Sequence, residues 1–155
     1  MRTRRWQWIL LAAVLVLGAF TARYVSLGPE GQHTFDIAGQ DRELPLLSPT
    51  LLGWIMPGER ARIESAQISP DGRWLYLAAT RGVGDQLASV TLDRPQDGVV
   101  RVDLRLITTP SPGRSAVGLL FATRVELNPP QVPGYPPITI DASTGRSMII
   151  GSYVP

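Results

Sequence analysis

The chain has 155 residues, with fifteen basic side chains against thirteen acids, one histidine and no cysteine. Beyond a short apolar head, that length holds about one domain, enough to bury a core without disulfides. The missing cysteines exclude a disulfide framework and a thiolate metal site, and a lone histidine cannot supply the ligand set that zinc needs.

All fifteen basic residues are arginines, and Arg2, Arg4 and Arg5 precede the first apolar run. From Arg23 onward twelve arginines face thirteen acids, a net charge of −1, so the basic balance of the whole chain comes from its head. A nucleic-acid binder needs a basic excess in its folded part, and none is expected here.

Residues 6–22 (WQWILLAAVLVLGAFTA) form that run, and Tyr24 and Val25 extend it past Arg23. A spanning helix needs about 17–25 predominantly apolar residues. Trp6 and Trp8 sit where amphipathic rings would lie among lipid headgroups, and Arg23 can snorkel to the far interface. The side chains expected to face lipid are Trp6, Trp8, Ile9, Leu10, Leu11, Val14, Leu15, Val16, Leu17 and Phe20. Arg2, Arg4 and Arg5 orient the segment with its N-terminus in the cytoplasm. The competing reading is a cleaved signal peptide, whose charged and apolar regions fit equally well but whose cleavage site fits badly. A cut after Ala22 leaves Phe20 at the −3 position, and a cut after Ala19 leaves Leu17 there. The expected division is a basic tip at 1–5, a signal-anchor at 6–25, a linker at 26–40 and an extracytoplasmic β domain at 41–155.

Residues 26–40 are rich in glycine and polar side chains, with a first short strand expected at 34–37. His33 reads there as a solvated side chain, since nothing near it in sequence completes a site. Residues 41–57 are apolar but broken by Pro45, Pro49 and Pro57, which predicts extended edge pieces at 43–47 and 51–55. Trp54, Ile55 and Met56 cover one end of the core or, on a sharper reading, form a docking patch for a partner.

The clearest local signal follows. Residues 62–68 read as a strand, Ser69-Pro70-Asp71-Gly72 suits a type I turn at every position, and 73–79 (RWLYLAA) returns as the second strand. The string Ile68-Ser69-Pro70-Asp71-Gly72-Arg73-Trp74-Leu75-Tyr76-Leu77-Ala78 resembles the inner-strand signature of β-propeller repeats of the WD-repeat and TolB-like kinds. Asp141–Gly145 (DASTG) is similar to the turn that closes such a blade. The Ser-Pro-Asp-Gly string occurs once, and the two pieces stand 70 residues apart, whereas a blade spans about 40–50 residues and a ring needs several. What the resemblance implies is shared turn chemistry, with no propeller function carried over.

Arg81–Asp85 is a glycine-rich loop without phosphate-cradle spacing or a following helix. Residues 86–93 read as a strand. Residues 99–107 (VVRVDLRLI) alternate strictly: Val100, Val102, Leu104 and Leu106 point one way, Arg101, Asp103 and Arg105 the other, which predicts a strand with one face in water. Residues 116–127 are apolar on both faces at their start and are expected to pair with 99–107 as a long antiparallel hairpin. Residues 128–137 hold five prolines and cannot join a central sheet; Tyr135 is expected to pack that strip onto the body. A final hairpin is expected at 138–154.

About eight short strands with regular turn signals and no amphipathic helix predict an all-β antiparallel sandwich, immunoglobulin-like or a small barrel, preceded by one transmembrane helix. Asp71, Asp85, Asp93, Asp97 and Asp141 each fall in or beside a turn, where aspartate serves local hydrogen bonding. No catalytic constellation, metal site or cofactor motif is apparent, and no cofactor is expected. The expected function is a binding or scaffolding module on the outer side of a membrane. Its partners would be the lipid bilayer and another membrane or envelope protein, not nucleic acid. The alternative is a secreted or anchored carbohydrate-active or other hydrolase using Asp/Glu residues.

Overall fold

The computed structural model describes residues 3–26, 30–93, 99–108, 117–131, 138–142 and 146–150. The chain folds into one α-helix followed by a β body.

Helix α1 (Thr3–Ser26) matches the apolar run. Straight-chain and alanine residues favour helix there, and no proline interrupts it. Its apolar side chains are exposed on every side: Trp6 and Trp8 are each 70% exposed, and Ile9, Leu10, Leu11, Val14, Leu15, Val16 and Leu17 all lie above half. Among the described residues no helix is long and apolar enough to cross a membrane. What stands at the span expected over residues 6–25 is an exposed apolar helix. Its described side chains, residues 6–18, rise about 20 Å at ~1.5 Å per residue, short of the ~30 Å of a hydrocarbon core.

The body carries strands β1 (Gln32–Ile37), β2 (Gln40–Pro45), β3 (Glu59–Arg60), β4 (Ile63–Ile68), β5 (Trp74–Arg81), β6 (Gln86–Asp93), β7 (Val99–Ile107), β8 (Leu119–Glu126), β9 (Ile138–Ala142) and β10 (Arg146–Ile150). The all-β expectation holds, and the arrangement is sandwich-like. One sheet runs β4-β5-β8; the other runs β10-β9-β7-β3 with β6 also on β7. Pairing is antiparallel except between β7 and β9.

The core lies between these sheets. β5 turns Leu75, Leu77 and Ala79 inward, β7 turns Val100, Val102, Leu104 and Leu106 inward, and Phe121 of β8 fills the middle. The alternation read from residues 99–107 is thus the observed burial. On the outer face Asp103 lies 2.9 Å from Arg105 Nε and 3.5 Å from Arg60 Nε. Arg105 also donates to the Pro57 carbonyl at 3.2 Å, so it serves the sheet surface.

The β4–β5 hairpin forms as read. Gly72 N–H donates to Ser69 O at 2.8 Å, and Gly72 takes a φ of +67°. Ser69 Oγ donates to Asp71 Oδ1, and Arg73 N–H donates to the same oxygen at 3.1 Å. The serine hydroxyl, then the Arg73 amide, hold the Asp71 carboxyl below its ordinary 3.8. A lowered folded-state pKa contributes stability above the unfolded value and loses it as pH falls through the folded one. Asp71→Asn is therefore expected to lower the melting temperature at neutral pH. Scans at decreasing pH should show the gap to wild type closing below pH 3.8.

Three expectations are corrected. Residues 99–107 and 116–127 do not form a hairpin: β8 pairs with β5 from Trp74↔Glu126 to Arg81↔Leu119. The reason is edge occupancy. β6 covers one edge of β7 between Arg101 and Ile107, and β9 and β3 share the other, so no edge is left for β8. The extended piece expected at 51–55 is instead a 3₁₀ turn, Leu51–Trp54, because Thr50 N–H is tied to Leu87 O at 2.8 Å and the chain must fold down onto β6. Third, His33 is not a solvated linker side chain. It lies on β1, stacked on Tyr76 at 3.9 Å between ring centroids, edge-on to Phe35 at 4.9 Å, with Nε2 3.2 Å from Gln67 Oε1.

That stack belongs to a second, smaller core. Hairpin β1–β2 lies over the outer face of β5 and β8, burying Phe35, Leu44 and Leu46 against Ala78 and Ala122. Ala78 and Ala122 are cross-strand partners. Their small side chains let the hairpin approach, and Leu47 N–H reaches Ala122 O at 2.8 Å. The final hairpin forms as β9–β10. Tyr135, Asp97 and the Ser143–Gly145 part of the blade-like turn lie outside the described residues.

Candidate functional site

β5 carries its chain out to Arg81, and β6 starts again at Gln86 in the opposite sheet. The link is a tied loop. Asp85 Oδ2 accepts the Gly82 N–H at 2.8 Å, Asp85 N–H donates to Gly82 O at 3.1 Å, and Arg81 Nη1 donates to Asp85 O at 2.7 Å. Gly84 supplies a φ of +86°, which a side chain would resist. Asp85 is 8% exposed, and its carboxylate is used to build the loop.

Residues 47–50 pass alongside, held by Leu47 N–H to Ala122 O at one end and Thr50 N–H to Leu87 O at the other. Between this segment and the Arg81–Asp85 loop is a cleft of about 410 Å³. Leu47, Val83, Leu87 and Leu119 give it apolar lining; Ser48, Thr50, Arg81, Asp85 and Gln86 give it polar groups. Its size falls at the lower end of the ~300–1,000 Å³ usual for small-molecule sites.

The cleft wall has an unusual feature. Thr50 Oγ1, Arg81 Nε and Gln86 Oε1 are buried and lack hydrogen-bond partners among the described residues. Thr50 is 7% exposed. Buried polar atoms are nearly always paired, because leaving one unpaired costs about 1–3 kcal/mol. Three such atoms along one cleft are a concentration of unmet hydrogen-bonding capacity.

Of the side chains weighed from sequence as carboxylates, anchor or partner patch, Asp85 alone lines this cleft. Trp6, Trp8, Ile9, Leu10, Leu11, Val14, Leu15, Val16 and Leu17 lie exposed along α1; the Phe20, Arg4 and Arg5 side chains and all of Arg2 are outside the described residues. Ile55 and Met56 follow the 3₁₀ turn and are 68% and 47% exposed, while the Trp54 side chain is outside the described residues. Sequence reading missed Thr50, Arg81 and Gln86. Its nearest signal was the glycine-rich loop, but only the crossing of residues 47–50 makes that loop the wall of a cleft.

Asp85 is the one carboxylate in the described lining, whereas glycoside hydrolysis places two across the scissile bond. Among the described residues, no group of three or more His, Asp or Glu could hold a metal ion. No protein-family model, curated protein or solved structure matches the chain.

Proposed function

We propose that the chain is a binding or scaffolding β module held at a membrane by α1, with its body on the extracytoplasmic side. The observation that carries this reading is the exposure of Trp6, Trp8 and the aliphatic residues Ile9–Leu17 around the whole helix. A helix apolar on all sides is covered by protein or by lipid. Among the described residues, the two cores of the body contain none from α1. The helical backbone continues to Ser26, and Ala19, Phe20, Ala22, Tyr24 and Val25 add apolar sequence around Thr21 and Arg23. Counted from residue 6 to residue 25, the helix would rise about 30 Å, enough for a bilayer core. Arg2, Arg4 and Arg5 favour a cytoplasmic N-terminus. Ile55 and Met56 offer the surface that a second membrane or envelope protein would cover. The body's net charge of −1 gives no footing for nucleic acid.

The chain lacks cysteine, so a single Glu59→Cys substitution on the exposed β3 gives a clean topology probe. We expect the protein to stay with alkali-washed membranes and to react with a membrane-impermeant maleimide in intact cells. Release by alkali, a mature N-terminus beyond residue 22, or labelling only after permeabilisation would overturn the reading.

A further inference from the structure

We propose that the cleft between residues 47–50 and the Arg81–Asp85 loop binds a small carboxylate bearing an adjacent N–H or O–H donor and a short aliphatic group. This is the chemistry of an α-amino acid or its N-acyl derivative. The inference is independent of how α1 meets a membrane.

The wall supplies one group for each part of such a ligand. Arg81 Nε is a cationic donor without a partner among the described residues and suits a carboxylate oxygen. Gln86 Oε1 is an acceptor without a partner among the described residues and suits the ligand's N–H or O–H. Thr50 Oγ1 can serve either role. Leu47 and Leu87 line the same space, with Val83 and Leu119 at 45% and 39% exposure, and these suit an aliphatic group. The carboxylate of Asp85 is the opposing charge in the wall; its Oδ2 is taken up by the Gly82 N–H, which leaves Arg81 as the group that selects an acid. The three polar atoms are closed to bulk water, so the ligand meets them by a rotation of the half-buried Arg81 side chain. The hydrogen bond from Thr50 N–H to Leu87 O ties the Thr50 backbone to β6, so Thr50 stays beside the strand that carries Gln86 while the Arg81 side chain moves.

The test is calorimetric titration of the full-length chain in detergent micelles with N-acetyl-L-leucine, L-leucine and N-acetyl-L-leucinamide. At least one of the two acids should saturate the protein, and the amide, lacking the carboxylate, should bind at least tenfold more weakly. Thr50→Val and Arg81→Met should each weaken acid binding at least tenfold. Thr50→Val should also raise the melting temperature, because it replaces a buried unpartnered hydroxyl with a methyl of similar shape; a loss of binding in that variant is then not a loss of fold. A preference for free or for acetylated leucine assigns the ligand within the class, and either supports the site. Saturation by neither acid, equal binding of acid and amide, or wild-type affinity in both variants overturns it.

Discussion

Phe121→Ala should remove a large share of the stability of the β body. Phe121 lies on β8, is fully buried, and shares one core cluster with Leu77 of β5 and Leu104 of β7. Truncating a buried phenylalanine costs about 3–5 kcal/mol through lost burial and the cavity left behind. Domains of this kind are stable by only about 5–15 kcal/mol. The site cannot collapse easily, because Phe121 is held in register with Ala79 on β5, and Leu46 bridges to Ala122 beside it. Urea denaturation followed by tryptophan fluorescence checks this, with Leu119→Ala as the comparison. Leu119 is on the same strand but 39% exposed, and its truncation should cost well under half as much. Equal losses at the two positions would mean that the sheets do not face each other across Phe121.

The second large effect is expected at Gly53. A Cβ built there would lie 2.0 Å from Ala88 O and 2.5 Å from Ala88 Cα, both backbone atoms of β6. Ala88 is where the register of β6 against β7 shifts, between Leu87 and Ser89. The extra residue of such a bulge pushes the backbone outward, and the 3₁₀ turn can sit on it only if residue 53 has no side chain. Gly53→Ala therefore lifts Leu51–Trp54 off β6. Overpacking of this kind costs about 1–3 kcal/mol. Thr50 N–H to Leu87 O should be lost with it, since Thr50 immediately precedes the turn. Amide exchange at Thr50 is the direct measurement. Faster exchange there, with β4–β5 amides still protected, is the expected pattern; unchanged protection at Thr50 would show that the turn is not seated as described.

Much of the fold was legible along the chain. The strict alternation of Val100, Val102, Leu104 and Leu106 against Arg101, Asp103 and Arg105 is a statement about two faces of one strand, and burial follows it. Ser69-Pro70-Asp71-Gly72 specifies a turn through local hydrogen bonds and one positive φ, so four residues suffice to predict it. The helix at residues 3–26 was equally local, written in an apolar run free of proline.

The neighbours of these elements were not legible. Sequence adjacency and double-sided apolarity pointed β8 toward β7, yet β8 joins β5, because hydrogen-bonding edges are allotted by the whole sheet and β7 has none to spare. His33 sits in a polar stretch with no partner nearby in sequence; Tyr76 and Gln67 reach it from strands more than thirty residues away. The same holds for the cleft, where Thr50, Arg81 and Gln86 become one wall only when residues 47–50 cross the β5–β6 link. By itself the sequence determined most of the strands, the apolar face of β7, the turn at residues 69–72, and that an apolar helix follows three arginines. Beyond the local hairpins β4–β5 and β9–β10, tertiary structure alone decided which edges pair, what covers the outer face of β5, and which polar atoms are buried together. Periodicity and turn chemistry act over a few residues, whereas pairing and burial depend on what the rest of the chain has already occupied.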